Sequence, residues 1–462
     1  MSMKKICLSI SILIAVCLGI DATGQLTVSG QIRTRSELRQ GQGTPQVQDT
    51  VPAFFTSQRT RINFGYTGYR FKVYTSLQDV RVWGQDVSSI NRITTDSYDG
   101  FMVHEAWGEL SLVDTGKLIK NLTLKIGRQE LVYDDVRLLG NLDWLQQARR
   151  HDAALLKFEH KGWSIHLGAA LNQNAERKSN TIYNGTPTGY VASTNGMGAM
   201  YKSMEFLYVA KKLQFGNASF LAFNDNFSKF HFAPADVNKA TPIYEHETWK
   251  RYTIGGNLFG TAFRKLGFAL SAFCQGGHYR EGTELNEYLL SASFTYAVGR
   301  KFSIGPGIDM TSGNNGSDPN KKFQRFDPLY GTPHKFWGYM DYFYVADGFG
   351  SNGLTDVYIK AKYKAKDNLT LSLDAHRFML PDAVLKTDGT AYNKALGTEI
   401  DFMINYAITK IINIEGGYSA MFATETMASP KVKNVNRAAN FSNWAYLMIS
   451  IKPEFVFKAS GQ

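Results

Sequence analysis

The sequence predicts an all-β fold, a transmembrane antiparallel β-barrel of about eighteen strands with short periplasmic turns and long extracellular loops. Three observations predict it. Stretches of about ten residues alternate apolar and polar side chains, the pattern of a strand with unlike faces. The joins between these stretches alternate short and long. After the N-terminal segment no long uncharged run competes as a helical span, and the mean hydropathy is negative.

The chain begins MSMKKICLSISILIAVCLGIDATGQ, with Lys4 and Lys5 ahead of an apolar run from Ile6 to Ile20 and small residues at Ala22 and Gly24. Residues 1–24 read as a secretory signal peptide and 25–462 as one outer-membrane barrel domain. The apolar run is about fifteen residues, short of the roughly twenty a spanning helix needs. A lipoprotein at Cys17 is disfavoured by Val16 before it. Removing the leader takes Cys7 and Cys17 with it and leaves Cys274, so neither a disulfide framework nor a cysteine metal cluster is expected. The net charge is +11. A basic exported chain suits anionic partners, and nucleic acid is not expected in that compartment.

The first strand, LTVSGQIRTRSELR, puts Leu26, Val28, Ile32 and Leu38 on one face and Gln31, Arg33, Arg35, Glu37 and Arg39 on the other. SQRTRINFGY sets Thr60, Ile62, Phe64 and Tyr66 against Arg59, Arg61 and Asn63. WSIHLGAALN, LTLSLDAHR and LGTEIDFMINY repeat the pattern, the last with Leu396 and Ile400 opposite Glu399 and Asp401. The final segment, WAYLMISIKPEFVF, places Ala445, Leu447, Ile449, Ile451, Phe455 and Phe457 together, and KASGQ follows. The 24 Tyr, 30 Phe and 7 Trp suit the aromatic girdles of a barrel. Short joins fall near 66–69, 159–162, 211–215, 260–265, 298–301, 363–368 and 408–411; long ones at 40–54, 84–100, 172–198, 225–248, 311–352, 379–395 and 424–440. A secreted sandwich or propeller would also alternate, but with shorter strands and without rows of Arg and Glu on inner faces.

A barrel of this size is expected to enclose a water-filled lumen lined by the polar parity. Its first part is basic: Arg33, Arg35, Arg39, Arg59, Arg61, Lys72, Arg81 and Lys125, with Glu37, Glu105 and Glu109 as inward acids. Such a lining selects anions, or else solvates the wall by internal pairing. Asp134, Asp135, His151 and Asp152 also invite a catalytic reading, yet no HExxH, GxSxG or paired CxxC supports one. The nine histidines read as wall or loop residues. No enzyme, cofactor or metal is expected.

GRQELVYDDVRLLGNLDWLQQARRHDAALL, from Gly127, resembles the signature of the bacterial alginate export porins, in Gly127-Arg128-Gln129, Asp135-x-Arg137-Leu138-x-Gly140, Trp144 and Arg150-x-Asp152. FDPLYGTPHKFWGYMDYF, Phe326 to Phe343, is similar to a long-loop motif of the same family. The resemblance implies an eighteen-stranded monomeric barrel with an arginine-rich lumen that secretes the acidic polymer alginate. It places Arg128, Asp135, Arg137, Arg150 and Asp152 at or near a constriction, with Asp134 and Arg149 beside them, and Arg33, Arg35, Arg59 and Arg61 along the conduit. The loops 84–100 and 311–352 are the expected gates. The partners expected are outer-membrane lipid, an anionic polysaccharide or small anions, and periplasmic export proteins. A general or uptake porin for small anions is the first alternative; an outer-membrane surface enzyme is the second.

Overall fold

Alternation along each strand sets one face toward lipid and the other toward an enclosed space, and backbone pairing with both neighbours removes every open edge. The computed structural model describes residues 24–84, 101–113, 121–179, 181–184, 201–235, 242–279, 282–314, 325–343 and 352–458. The expected leader and the 85–100 part of one expected gate lie outside the described residues. The first half of the wall is β1 (Gln25–Gln40), β2 (Ala53–Thr67), β3 (Phe71–Val82), β4 (Met102–Ser111), β5 (Leu122–Gln129), β6 (His151–His160), β7 (Trp163–Leu171), β8 (Ser203–Lys212) and β9 (Gly216–Phe232). The second is β10 (Pro242–Ala262), β11 (Leu266–His278), β12 (Glu284–Val298), β13 (Phe302–Thr311), β14 (Leu354–Lys366), β15 (Leu369–Met379), β16 (Ala395–Ala407), β17 (Ile412–Ala423), β18 (Phe441–Ile451) and β19 (Glu454–Lys458).

Consecutive strands pair antiparallel, and β1 pairs with β2 on one side and with β18 and β19 on the other, which closes the barrel. β18 and β19 form one crossing interrupted at Lys452 and Pro453. Pro453 has no N–H for the ladder, but its carbonyl accepts from Gly30 N at 2.9 Å. The wall is therefore eighteen crossings, an even number that leaves both of its ends on the short-turn side. Ile32, Ile62, Phe64, Leu373, Phe402 and Leu447, of the expected lipid-facing set, are exposed on the outer face, as is Ile254 of β10.

Four expectations are corrected. Arg81 shares its parity with Val73 and Leu77 and points outward, where its Nε donates to Asp79 Oδ2 at 2.7 Å. The chain from 225 to 248 is not mainly loop: β9 and β10 continue as a paired hairpin to Phe232 and Pro242. Most consequentially, the middle of the lumen is filled. Two inter-strand segments, 130–150 and 325–343, enter it and build an apolar core with inward residues of the wall. Leu396, expected to face lipid, is buried at the rim of β16.

Candidate functional site

Segment 130–150 leaves β5 carrying Leu131, Leu138, Leu139, Leu142 and Ala148, all buried. These residues are too apolar for an exposed loop, so the segment turns inward. It bends through positive φ at Asp134, Val136, Leu142 and Ala148. Segment 325–343 brings Phe326, Leu329, Tyr330, Trp337, Met340, Tyr342 and Phe343, likewise buried. The two join directly: Gly140 N donates to Tyr330 O at 2.9 Å, Tyr330 N to Leu138 O at 2.9 Å, and Thr332 N to Val136 O at 2.8 Å. Arg149 Nη1 adds a bond to Gly331 O at 2.5 Å. Gly331 lies so close to the Arg137 carbonyl that a Cβ there would overlap it. The pair packs on inward Phe206, Phe223, Phe273, Leu289, Phe378, Met421 and Trp444.

Polar latches fix this plug to the wall on each side. On β1 and β2, Arg59 Nη2 donates to Asp143 Oδ1 at 2.7 Å and Arg33 Nη1 to the Asp143 carbonyl at 2.8 Å. Arg35 Nη1 donates to the Trp144 carbonyl at 2.6 Å, and its guanidinium lies 4.2 Å from the centre of the Trp144 ring. Arg61 Nε donates to Gln78 Oε1 at 2.6 Å, and its Nη1 lies 3.7 Å from Glu130. Burial raises the Asp143 carboxyl, but Arg59 and Arg33 more than offset it and hold the group at about 2.

On the opposite wall, Arg251 of β10 grips Asp225 of β9 at 2.9 and 2.5 Å and Asp327 of the plug at 2.7 Å. Tyr330 Oη donates to the same Asp225 at 2.8 Å. Arg137 Nη1 donates to Asp309 of β13 at 2.7 Å, and its Nε donates to Asp135 at 3.3 Å. Asp134 accepts from Tyr208 Oη, Ser219 Oγ and Asn257 Nδ2 at 2.8, 2.9 and 2.9 Å. Burial pushes its carboxyl up against the pull of those donors. Met340 N donates to Glu399 Oε1 at 2.8 Å.

The residues expected at the site divide cleanly. Arg33, Arg35, Arg59, Arg61, Glu105 and Lys125 face inward; Lys125 Nζ lies 3.8 Å above the Trp107 ring, and Glu105 Oε1 accepts from Glu130 N at 2.9 Å. Asp134, Asp135, Arg137, Arg149 and Arg150 belong to the inserted segment. Arg128 and Asp152 do not join them. They pair at 2.8 Å across β5 and β6 in register with outward Ala106, so they sit on the outer face near the long-loop end. His151, on the opposite face from Asp152, shares a 2.7 Å hydrogen bond with Tyr201 Oη. The four groups that invited a catalytic reading are each engaged with other partners, Asp134 with Tyr208, Ser219 and Asn257, Asp135 with Arg137, His151 with Tyr201 and Asp152 with Arg128, and no cluster able to hold a metal occurs among the described residues.

Several anchoring residues were not singled out from the sequence: Asp143, Asp225, Arg251, Asp309 and Asp327. Asp327 lies within the FDPLYG block, where a carboxylate amid buried aromatics was the available signal. Arg251 and Asp225 sit in stretches with no distinctive motif.

On the short-turn side of the plug the lumen opens again. Asn217, Phe259, Thr261, Ala269, Ser293 and Thr295 line one space of about 470 Å³, uncharged and rich in small groups. A second, of about 320 Å³, lies between the plug and β14–β18.

A closed barrel of eighteen strands with an apolar belt outside and folded segments across a partly wet interior defines an outer-membrane channel. The sequence profile for alginate export matches residues 24–440, and the chain belongs to that family, whose members are outer-membrane porins. No curated protein matches the sequence. Among solved structures, Pseudomonas aeruginosa OpdO superposes with a TM-score of 0.60 at 12% identity over 93% of this chain and 97% of that one. Acinetobacter baumannii OccAB1 gives 0.59 at 13% over 93% and 97%, and P. aeruginosa OpdG (OccK9) 0.58 at 13% over 93% and 98%. At such identities these similarities speak to the fold.

Proposed function

We propose that this porin passes anionic solutes, with an acidic polysaccharide such as alginate as the exported cargo, and that it is a transporter with no catalytic activity. The observation that carries the reading is the sign of the charge that water reaches inside the barrel. Arg33 and Arg59 are used up in holding the plug, at 4% and 1% exposure. Arg39 and Lys72, by contrast, keep 39% and 55% of their side chains open. Lys125 and Lys157 stand beside Lys72 on the inner face, and among the described residues Glu109 is the acid that pairs with both Lys72 and Lys157. The buried acids of β14 and β16, Asp356, Glu399 and Asp401, lie away from water. A carboxylate entering from the short-turn mouth meets a surplus of amines, which raises its local concentration without fixing it.

Family membership supports the polymer; the dense plug supports small anions as the second reading, since the described residues leave separate spaces rather than a wide bore. Planar-bilayer recording distinguishes them. Under a salt gradient the reversal potential is expected to show anion preference, and oligouronates are expected to block the current. Cation preference would overturn the reading, and free passage of small anions without block by any polyanion would assign the simpler porin. The barrel is proposed to work as a single chain, in association with outer-membrane lipid and periplasmic export proteins.

A further inference from the structure

The 320 Å³ space beside the plug is more than residual lumen. It is lined by Trp144, His334 and Tyr339 of the plug, Lys362 of β14, Thr370 and Ser372 of β15, Met403 and Asn405 of β16, Glu415 of β17 and Tyr446 of β18. Its volume is at the lower end of the ~300–1,000 Å³ of small-molecule sites. Its chemistry is sorted by position. Glu415 is held rigidly, accepting from Tyr446 Oη at 2.8 Å and Asn405 Nδ2 at 3.2 Å. That arrangement leaves carboxylate lone pairs available to accept from a hydroxylated guest. Thr370 and Ser372 place two hydroxyls on the same inner face of β15, and Lys362 stands directly opposite Ser372 across the β14–β15 pair. Lys362 is exposed and enters no ion pair among the described residues, whereas its neighbour Lys360 is bound to Asp374 at 3.0 Å.

The roof is equally fixed. Trp144 has the Arg35 guanidinium 4.2 Å from its ring centre and the His334 ring stacked on it at 4.0 Å and 8°, and His334 Nδ1 lies 2.8 Å from Asp341. Tyr339 and the edge of Trp144 thus present apolar carbon to the space while their orientation is set from behind. One cation free to take an anion, a constrained acceptor, paired hydroxyls and an aromatic edge describe complementarity to one kind of guest.

We infer that this space is a recognition subsite for a single ring-sized, polyhydroxylated carboxylate, bound with its carboxylate on Lys362 and its hydroxyls on Glu415, Asn405 and Ser372. The inference rests on the anion-passing reading and adds to it a defined stopping point on the short-turn side of the plug. A solute held there lies against Trp144, the residue whose carbonyl Arg35 grips, so occupancy bears directly on the latch.

Isothermal titration of the detergent-purified barrel with D-glucuronate, D-glucose and acetate tests it, with reversal potentials recorded on the same preparations. Glucuronate is expected to bind at least about tenfold more tightly than either glucose or acetate, since each of those lacks one half of the complement. Lys362→Gln is expected to weaken glucuronate by about tenfold and leave glucose unchanged; Glu415→Gln is expected to weaken both sugars; Lys362→Arg is expected to restore binding. Heat-dependent gel migration reports folding of each variant, and Lys362, exposed and in no ion pair among the described residues, is the position least able to disturb it. Equal binding of acetate and glucuronate, or unchanged glucuronate binding in Lys362→Gln, overturns the subsite while an anion-selective reversal potential leaves the channel reading standing. Cation selectivity with Lys362-dependent glucuronate binding does the reverse.

Discussion

Asp143 Oδ1 lies 2.7 Å from Arg59 Nη2, and the same carboxylate lies 3.3 Å from Arg33 and 3.9 Å from Arg61. One acid at the tip of an inserted segment therefore gathers three guanidiniums from two neighbouring strands. Without it those cations, stacked on one face, would repel one another in a poorly hydrated space. The contact is what turns a basic wall into a docking surface for the plug.

Acidification tests this contact. The Asp143 carboxyl is depressed in the folded state to about 2 from an ordinary 3.8. A lowered folded value stabilises the docked segment fully above the unfolded value, and that contribution is lost as pH falls through the folded one. Conductance is therefore expected to hold its neutral-pH level down to about pH 4 and to become larger or noisier toward pH 2. Asp143→Asn is expected to show the noisy state already at pH 7. A current in Asp143→Asn with wild-type amplitude and noise would remove Asp143 as the latch.

Asp327→Asn tests the far side of the plug. It leaves Arg251 with Asp225 alone and weakens a fully buried charged network, a change that typically costs about 3–5 kcal/mol when one partner is removed. The loss falls on the docking of 325–343, because the paired strands β9 and β10 do not depend on Asp327. Limited proteolysis is expected to cleave within 325–343 in the variant while the heat-dependent gel shift of the barrel persists. Loss of the barrel together with the segment would show that plug and wall fold as one unit.

The wall was legible and the plug only half so, for a physical reason. Period-two alternation is local, so Arg33, Arg35, Arg59 and Arg61 could be assigned inward and Ile62 and Phe64 outward from adjacent residues alone. The short joins match the observed turns for the same reason, as at Glu159–Gly162 between β6 and β7. Arg81 failed because it was read by its charge rather than its parity with Val73. Arg128 and Asp152 failed because the family motif names residues without saying which side of the wall they occupy; the alternation from inward Lys125 already put Arg128 outside. The latches at Asp143 and Arg251 join residues more than 70 positions apart. Such pairings are fixed by tertiary packing and leave no periodic trace.

Arg150→Ala tests the edge of the plug, where segment 130–150 meets β6. Arg150 is half-buried at the junction of segment 130–150 with β6 and next to the fully buried Arg149. Truncating it removes positive charge at the edge of the plug, so anion preference is expected to fall while barrel stability is unchanged. An unaltered reversal potential would place Arg150 outside the conducting path.

The final contrast separates inner from outer arginines within one short stretch of sequence. Arg137 is buried in the plug with its guanidinium on Asp309 and 4.0 Å from the Phe336 ring. Burial alone would lower its proton affinity, but Asp309 and Asp135 raise it above the ordinary value, so it is charged at every accessible pH. Arg137→Ala strands buried Asp309 without its cation, a loss that typically costs about 3–5 kcal/mol, and loosens the join between both inserted segments; it is expected to change single-channel conductance while the heat-dependent gel shift of the paired barrel persists. Arg128, nine positions earlier by sequence, faces the outside with Asp152. An exposed pair of this kind contributes about 0–1 kcal/mol, and Arg128→Ala is expected to leave conductance and reversal potential at wild-type values. If Arg128→Ala altered selectivity as strongly as Arg137→Ala, the conducting path would have to run where the structure places the lipid boundary. If neither altered the current, the 130–150 segment would lie outside the path altogether.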